Sequence, residues 1–441
     1  MSIGSVAVVG GGWAGLATAV TLAAHHVPVN VYEGARQVGG RARRVAFEAH
    51  AVDNGQHLFI GAYKHTLQML RTIGVDPDSA FLRQPLSLTS LRQGAPPLTI
   101  TAPRLPAPLH LIWALLRARG LANRDRLRAI QFGLKLKFGA LHTEPDISLS
   151  ALLHQHQQTP TLCEAFWEPL CLAIMNTHPG EASAQVFVQV LKDAFLHHQS
   201  DADTLLATTD LSRLLNDPSV DYIEQHDGHV HLGMRINALG LADNGQWKLQ
   251  CDGDHHSHSH VVLAVPPYAA ARLLPAQAEL DTLRHALTQF DYAPICTLYL
   301  QYAPAIQLPQ PMLGMLGTLS QWIFDRRVCG QPGLMAVVIS AGGEHMKLDN
   351  HQLLDTVRAE LAQRFPHWPA PIKEFVLREK RATFLCRTGI NSHRPANRTP
   401  LYGLWLAGDY TRTSYPATLE GAIRSGVQCA HQIIDSLEKT G

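Results

Sequence analysis

Val6-Ala7-Val8-Val9-Gly10-Gly11-Gly12-Trp13-Ala14-Gly15 is the stretch on which the fold turns. The four residues before the glycines are apolar without interruption, the pattern of a short strand buried on both faces of a parallel sheet. Gly10, Gly12 and Gly15 then stand in G-x-G-x-x-G spacing, with Trp13 and Ala14 at the two variable positions. A strand that runs through this turn into a helix, here Leu16 to His25, is the arrangement that cradles a dinucleotide pyrophosphate. Gly10 permits the tight turn, Gly12 the close approach of phosphate, and Gly15 the close packing of the helix. The helix aims its N-terminal amides and dipole at the anion.

Working outward, a second apolar run, Val29-Asn30-Val31-Tyr32, ends in Glu33, 18 residues after Gly15. An acid at that distance can hydrogen-bond the adenosine ribose hydroxyls. Up to this point the other half of the dinucleotide, nicotinamide or flavin, stays open.

The remaining composition narrows the class. The chain has 441 residues, 46% of them hydrophobic and 17% charged, which is ample for two globular domains. A formal charge of +1 gives no overall field favouring nucleic acid, so no nucleic-acid partner is expected. Seven scattered cysteines without CxxC spacing fit free thiols in a reducing compartment, with neither disulfide nor zinc. The apolar stretch 5–24 lacks a basic leader and is broken by glycines, so it reads as strand, turn and helix rather than signal peptide. The run Leu105–Leu116 carries Pro106 and Pro108 and is shorter than the roughly 20 residues of a spanning helix, so no membrane crossing is expected.

Later segments carry a family resemblance. Arg36-Gln37-Val38-Gly39-Gly40-Arg41 resembles the glycine-pair and arginine stretch of the amine oxidase and phytoene desaturase superfamily of flavoproteins. Asp53-Asn54-Gly55-Gln56-His57 resembles the segment that runs beside the isoalloxazine ring in that superfamily. The residues from His229 to Ile236 are similar to its adenine-side strand, and Val261 to Pro267 to the strand that returns to the sheet. Leu404 to Ala407, then Gly408-Asp409, reads as a buried strand ending in a turn. From Leu419 the apolar residues Ala422, Ile423, Val427, Ala430, Ile433, Ile434 and Leu437 keep helical spacing, with Thr418 at its start.

The resemblance implies FAD as cofactor. It places Gly39, Gly40 and Arg41 along the pyrophosphate and ribityl chain, Gly55 and Gln56 beside the ring, Ile236 at adenine and Asp409 on a ribityl hydroxyl. The helix start at Thr418 and Leu419 then faces the pyrimidine end of the flavin, where reduction collects negative charge. The implied fold class is α/β: a Rossmann-like (GR2-type) FAD-binding domain with a second α+β substrate domain, both discontinuous. The expected blocks are 1–85, 204–285 and 395–441 for the cofactor domain, and 86–203 and 286–394 for the substrate domain. In the latter, helices are expected over Leu109–Leu141, Cys163–Phe195 and Asn350–Phe365, and strands at Ile295–Leu300 and Leu334–Ile339.

At a finer level, Asp53 to Tyr63, Gly408 to Ala422 and Trp322-Ile323-Phe324-Asp325-Arg326 are similar to the squalene-associated FAD-dependent desaturases, the hydroxysqualene dehydroxylases of bacterial hopanoid pathways. That likeness implies an isoprenoid lipid substrate, reductive loss of an allylic hydroxyl, and contact with other squalene-pathway enzymes. The amine oxidase reading is weaker, because Thr297 stands where those enzymes usually carry a Lys. Three readings stay open: dehydroxylation, oxidation of a polyene or amine, and a non-redox role of bound FAD. His57, Tyr410 and Tyr415 flank the flavin segments and are the candidates for the proton donor. Phe166, Trp167, Leu170, Leu313, Met315, Leu316, Trp322 and Phe324 are candidate tunnel residues.

Two further stretches have competing readings. From Arg124 to Leu141 an apolar face of Leu127, Ile130, Leu134, Phe138 and Leu141 is accompanied by five basic residues. It is either an ordinary helix facing the core or a peripheral contact with an anionic membrane leaflet through Leu109–Leu141. The chain is accordingly expected in the cytoplasm, either free or on the inner membrane face. His255, His256, His258 and His260 sit in a polar stretch that reads as a solvated hairpin loop rather than a metal site.

Overall fold

The computed structural model describes residues 4–251 and 254–439, so residues 1–3 and 440–441 of the outer blocks lie outside it. Val6–Val9 is a strand buried at every position, in the middle of a five-stranded parallel sheet. The spatial order is His229–Leu232, Val29–Glu33, Val6–Val9, His260–Leu263, Leu404–Leu406. The chain leaves the central strand first to one side and later returns on the other. A crevice therefore opens beyond the carboxyl ends of the strands at this switch point.

The helix after the glycine turn runs Trp13–Ala24 and starts earlier than Leu16, because Gly12 serves as its extended cap. It crosses the C-terminal helix Leu419–Glu438 in close contact. A Cβ on Gly426 would lie 2.3 Å from the Ala14 carbonyl oxygen, so only glycine fits at this crossing.

A seven-stranded sheet forms the second body, in the order Lys373–Phe384, Tyr292–Gln301, Leu334–Ser340, Trp322–Asp325, Met312–Met315, Ser87–Arg92, Ala95–Thr101. Side chains alternate across it. Cys296, Leu298 and Leu300 pack under the helix Asn350–Arg364 through Leu353, Val357 and Leu361, while Thr297 and its same-face neighbours turn toward the crevice. The hairpin over 87–101 has no counterpart in the sequence expectation. Pro96 and Pro97 argue against a strand, yet Ala95–Thr101 lies at the sheet edge, where proline breaks no ladder.

The helical run expected over Leu109–Leu141 is two helices, Leu109–Leu116 and Asn123–Lys137, split near Gly120. Its stripe also differs. Ala129, Ile130, Phe132 and Leu136 are buried, whereas Leu127, Leu134 and Phe138 are exposed, so most of the predicted core face turns outward.

The His-rich stretch is a strand and not a solvated loop. Asp254–His258 pairs with Trp247–Cys251, and His260 opens the next strand. His258 is buried and bridges the Tyr32 and Ser5 hydroxyls at 2.9 Å each. Burial, with His256 and His231 nearby, lowers its pKa to about 4, so it stays neutral and can act as donor and acceptor. Among the described residues no cluster of His, Cys, Asp or Glu is placed to hold a metal, and no helix is long and apolar enough to cross a membrane.

Candidate active site

The crevice continues into one cavity of about 1290 Å³ that reaches from the glycine turn into the helical part of the second body. This exceeds the roughly 300–1,000 Å³ of ordinary ligand pockets, enough for a long cofactor and a long substrate together. Gly10 takes φ +108°, which glycine adopts without strain, and a Cβ there would strike the Ala264 carbonyl. A Cβ on Gly12 would meet no protein atom within 4 Å and would project into the cavity. Gly15 does not line the cavity. A Cβ on it would sit 2.0 Å from the Gly10 carbonyl oxygen, so its part in the cofactor site is the close packing of helix on turn and not a direct contact.

The other expected binding residues converge on this cavity. Gly39 donates its amide to the Gly11 carbonyl at 2.7 Å, which sets Gly39, Gly40 and Arg41 against the glycine turn. Trp13 and Ala14 line the same wall, Trp13 donating its indole N–H to Asn216. The Glu33 carboxylate lies at the end of its strand, accepting from the amides of Gly11 at 2.7 Å and Ala35 at 2.8 Å. Ile236 is buried in the cavity wall, but beyond the end of the strand His229–Leu232 rather than within it.

Arg41 pairs with Asp409 at 2.7 Å, joining the second and last of the cofactor segments beside Gly408. Thr418 and Leu419 line the wall where the C-terminal helix begins, and Thr418 caps it by accepting from the Gly421 amide. Glu420 in that first turn is buried. Burial favours its neutral form, but hydrogen bonds from His65 and Thr66 outweigh this and hold the carboxyl below its usual range. Its charge complements the helix dipole and fixes the helix start.

Deeper in, Gly55 adopts φ +121°, and a Cβ there would meet only His57 Nε2 and Thr297 Oγ1, each at 3.8 Å. His57 Nε2, Thr297 Oγ1, Tyr410 Oη and Tyr415 Oη are all buried, line the cavity and lack a protein hydrogen-bond partner. Burial first, and then the positive charges of Arg41 and Arg326, lower the His57 pKa to about 4. Burial pushes both tyrosine hydroxyls far above the ordinary phenol range. At neutral pH the imidazole is therefore uncharged and both phenols keep their protons.

Behind this loop is a network that sequence reasoning touched only in part. Buried Arg326 donates to Gln56 Oε1 at 2.8 Å and to Gln331 Oε1 at 2.6 Å, and lies 3.5 Å from the Asp53 carboxylate. Asp53 also accepts from the Leu211 amide, and its own carbonyl accepts from the Tyr299 hydroxyl. Burial raises the Asp53 pKa from the usual value of about 4 to about 6, against the pull of Arg326. An acid whose folded pKa is raised adds stability below its unfolded value and loses it as pH climbs through the folded one. Relative to Asp53→Asn, the unmodified protein should therefore lose stability as pH rises from about 4 to about 6. Denaturant midpoints of the two proteins across that window read this directly, and parallel curves would contradict it.

The far arm of the cavity is apolar. Phe166, Trp167, Leu170, Trp322 and Phe324 line it as expected tunnel residues, but Leu313, Met315 and Leu316 do not. Met312 lines it instead, because in the strand Met312–Met315 the side chains at 313 and 315 point to the opposite face. Leu111, Ile112, Leu115, Ile130 and Gly133 add a wall, and of these the sequence reading singled out only Ile130, as part of an apolar helix face. Glu379, which accepts from Asn54 at 3.1 Å, is another cavity residue it missed; the alternation of the strand Lys373–Phe384 is its only signal.

These residues fit a dinucleotide with a ring system. Gly12 leaves room at the helix N-terminus for a pyrophosphate, Glu33 stands at the strand end for a ribose, and unpartnered polar atoms await a ligand around Gly55. Comparisons point the same way. The family model described as flavin containing amine oxidoreductase matches residues 13–434. A hydroxysqualene dehydroxylase of Rhodopseudomonas palustris is 30% identical over 98% of each chain. A 15-cis-phytoene desaturase of Glycine max is 24% identical over 98% of this chain and 80% of its own. The crystal structure of an oxidoreductase from Methanosarcina mazei superposes with a TM-score of 0.75 at 16% identity, covering 97% of this chain and all of that one.

Proposed function

Because the chain belongs to the flavin-containing amine oxidoreductase family and is an FAD-dependent oxidoreductase, we propose that it reductively removes the hydroxyl of hydroxysqualene, giving squalene, water and oxidised flavin in a hopanoid route. The observation that carries this reading is the one cavity lined both by the dinucleotide-end residues and by the apolar residues Phe166, Trp167 and Leu170. That apolar arm suits a long hydrocarbon. Thr297, in place of a basic residue beside Gly55, agrees. The same lipid character supports a position on the inner face of a cytoplasmic membrane, near other enzymes of squalene metabolism.

When bound and reduced, FAD supplies the hydride equivalent. Gly10, Gly12, Trp13, Ala14, Gly39, Gly40, Arg41, Glu33 and Ile236 are proposed to hold its adenosine and pyrophosphate. Gly55, Gln56, Gly408, Asp409, Thr418 and Leu419 are proposed to hold its ribityl and ring. The allylic C–O bond ionises as the leaving oxygen takes up a proton. His57, with Tyr410 and Tyr415, presents protonated donors to that oxygen. None is a strong acid in this setting, so one of the three gives up its proton only as charge develops on the departing oxygen. The proton that the reduced cofactor would release on oxidation would restore that donor, so that hydroxysqualene and reduced FAD would balance to squalene, water and oxidised FAD. Phe166, Trp167 and Leu170 exclude water that would otherwise trap the carbon centre.

Likeness to phytoene desaturases favours one competing reading, oxidation of a polyene. The two run the flavin in opposite directions. Oxidised holoenzyme given phytoene without oxygen should keep its colour on the present account, whereas bleaching coupled to new conjugated double bonds would replace it with the oxidative one.

A further inference from the structure

The exposed apolar side chains of this protein are not scattered. Of the twelve large hydrophobic residues that stand exposed among those described, seven fall between Leu105 and Phe138. Phe138 is 75% exposed, Leu109 and Leu127 55%, Leu116 52% and Trp113 46%. Isolated exposed hydrophobics need no explanation, but a contiguous group does. On the helix Leu109–Leu116, positions 109, 113 and 116 share one face; on Asn123–Lys137 and its cap, positions 127, 134 and 138 do. The second helix therefore has two apolar faces. Ala129, Phe132 and Leu136 meet the core, and Leu127, Leu134 and Phe138 meet solvent.

Charge follows the same segment. Residues 104–137 hold eight of the chain's Arg and Lys but one acid, Asp125, although the whole chain is nearly neutral. That acid is buried and takes a hydrogen bond from Thr159. At about 100° per residue, Arg124, Arg128 and Lys135 flank one side of the exposed stripe, and Arg126 and Lys137 the other. Arg117 lies over the Trp113 ring at 5.1 Å, a cation and an aromatic together at one edge. The cavity reaches these helices too. Ile112, Ile130 and Gly133 line it, and Leu134 both lines it and is exposed.

We propose that the helices Leu109–Leu116 and Asn123–Lys137 form a docking face for an anionic lipid bilayer, with the cavity mouth opening inside that face. An apolar stripe bordered by basic residues on both sides matches hydrocarbon below anionic headgroups. Long Arg and Lys stems reach the headgroups while Leu127, Trp113 and Phe138 enter the interface. A water-insoluble substrate then passes from bilayer to cavity past Leu134 without crossing water. The surface stands on exposure and charge; only the identity of the passenger rests on the proposed function.

The test uses the full-length holoenzyme and flotation with vesicles of phosphatidylcholine, with and without phosphatidylglycerol. Trp113→Ser combined with Phe138→Ser, and separately Arg124→Glu combined with Lys135→Glu, are compared with the unmodified protein, flavin content serving as the check on folding. Partition onto anionic vesicles is expected to exceed that onto phosphatidylcholine at least tenfold, and to fall at least tenfold in either double variant. Turnover of vesicle-borne substrate should fall with it, while turnover of detergent-dispersed substrate should not. Equal partition of variant and unmodified protein, or no vesicle binding at all, overturns the proposal. So does a dimer that dissociates in the Trp113→Ser, Phe138→Ser variant, since a second copy would then cover the face. Anionic-vesicle binding without any turnover of dispersed hydroxysqualene leaves the docking face standing and removes the substrate reading instead.

Discussion

A Gly12→Val protein should fold and purify without colour. Position 12 has ordinary extended dihedrals, φ −73° and ψ 175°, so a branched side chain adds no forbidden backbone geometry. Nothing in the protein lies within 4 Å of the Cβ it would gain. The only volume it takes is cavity volume, at the helix N-terminus where the pyrophosphate needs close approach to the amides. Loss of affinity should reach about 4 kcal/mol, roughly a thousandfold in Kd. Absorbance and circular dichroism together read the result: no visible flavin band, native far-ultraviolet signal, and a melting temperature that added FAD no longer raises. A yellow Gly12→Val protein would place the dinucleotide elsewhere. Gly15→Ala is the contrasting change, because its Cβ would overlap the Gly10 carbonyl and the turn itself should be destabilised.

The second large effect belongs to the opposite end of the cavity. Gly133 sits within the helix Asn123–Lys137 and lines the apolar arm, and a Cβ added to it would have no protein atom outside its own helix backbone within 4 Å. Gly133→Trp should occupy the passage without disturbing the core. Replacing a mid-helix glycine also gains up to about 1 kcal/mol of helix propensity, so stability should hold or rise. Flavin content should be unchanged, while kcat/KM for a full-length isoprenoid falls at least about a hundredfold, some 3 kcal/mol of lost transition-state binding. A short allylic alcohol that needs only the flavin end should be turned over as before. Equal kinetics on the long substrate would show that it enters by another route.

How much of this could be read from the chain depended on how local the signal was. The turn from Val6 to Gly15, the acid at Glu33 and the helix start at Thr418 are short patterns whose geometry is set by neighbouring residues, and the structure brings them to one crevice. Register and facing were less legible. Leu313 and Met315 look as suitable for a tunnel as Met312, and only the pairing of that strand with Trp322–Asp325 decides which face each takes. The stripe Leu127, Leu134, Phe138 likewise has good helical periodicity, but periodicity cannot distinguish core from solvent when a second apolar face exists. His258 reads as loop because polar composition carries no sign of its long-range partners Tyr32 and Ser5. The Arg326 network joins positions more than 250 residues apart, which no local pattern announces.

The central claim is that bound FAD is used to reduce an isoprenoid alcohol. It is tested most directly by a single anaerobic turnover in which dithionite-reduced holoenzyme, freed of excess reductant, is mixed with hydroxysqualene. Flavin absorbance and extracted lipid are followed together. The account predicts that the oxidised flavin band returns and that squalene appears in equal molar amount. A flavin that stays reduced while the alcohol is recovered unchanged would contradict it.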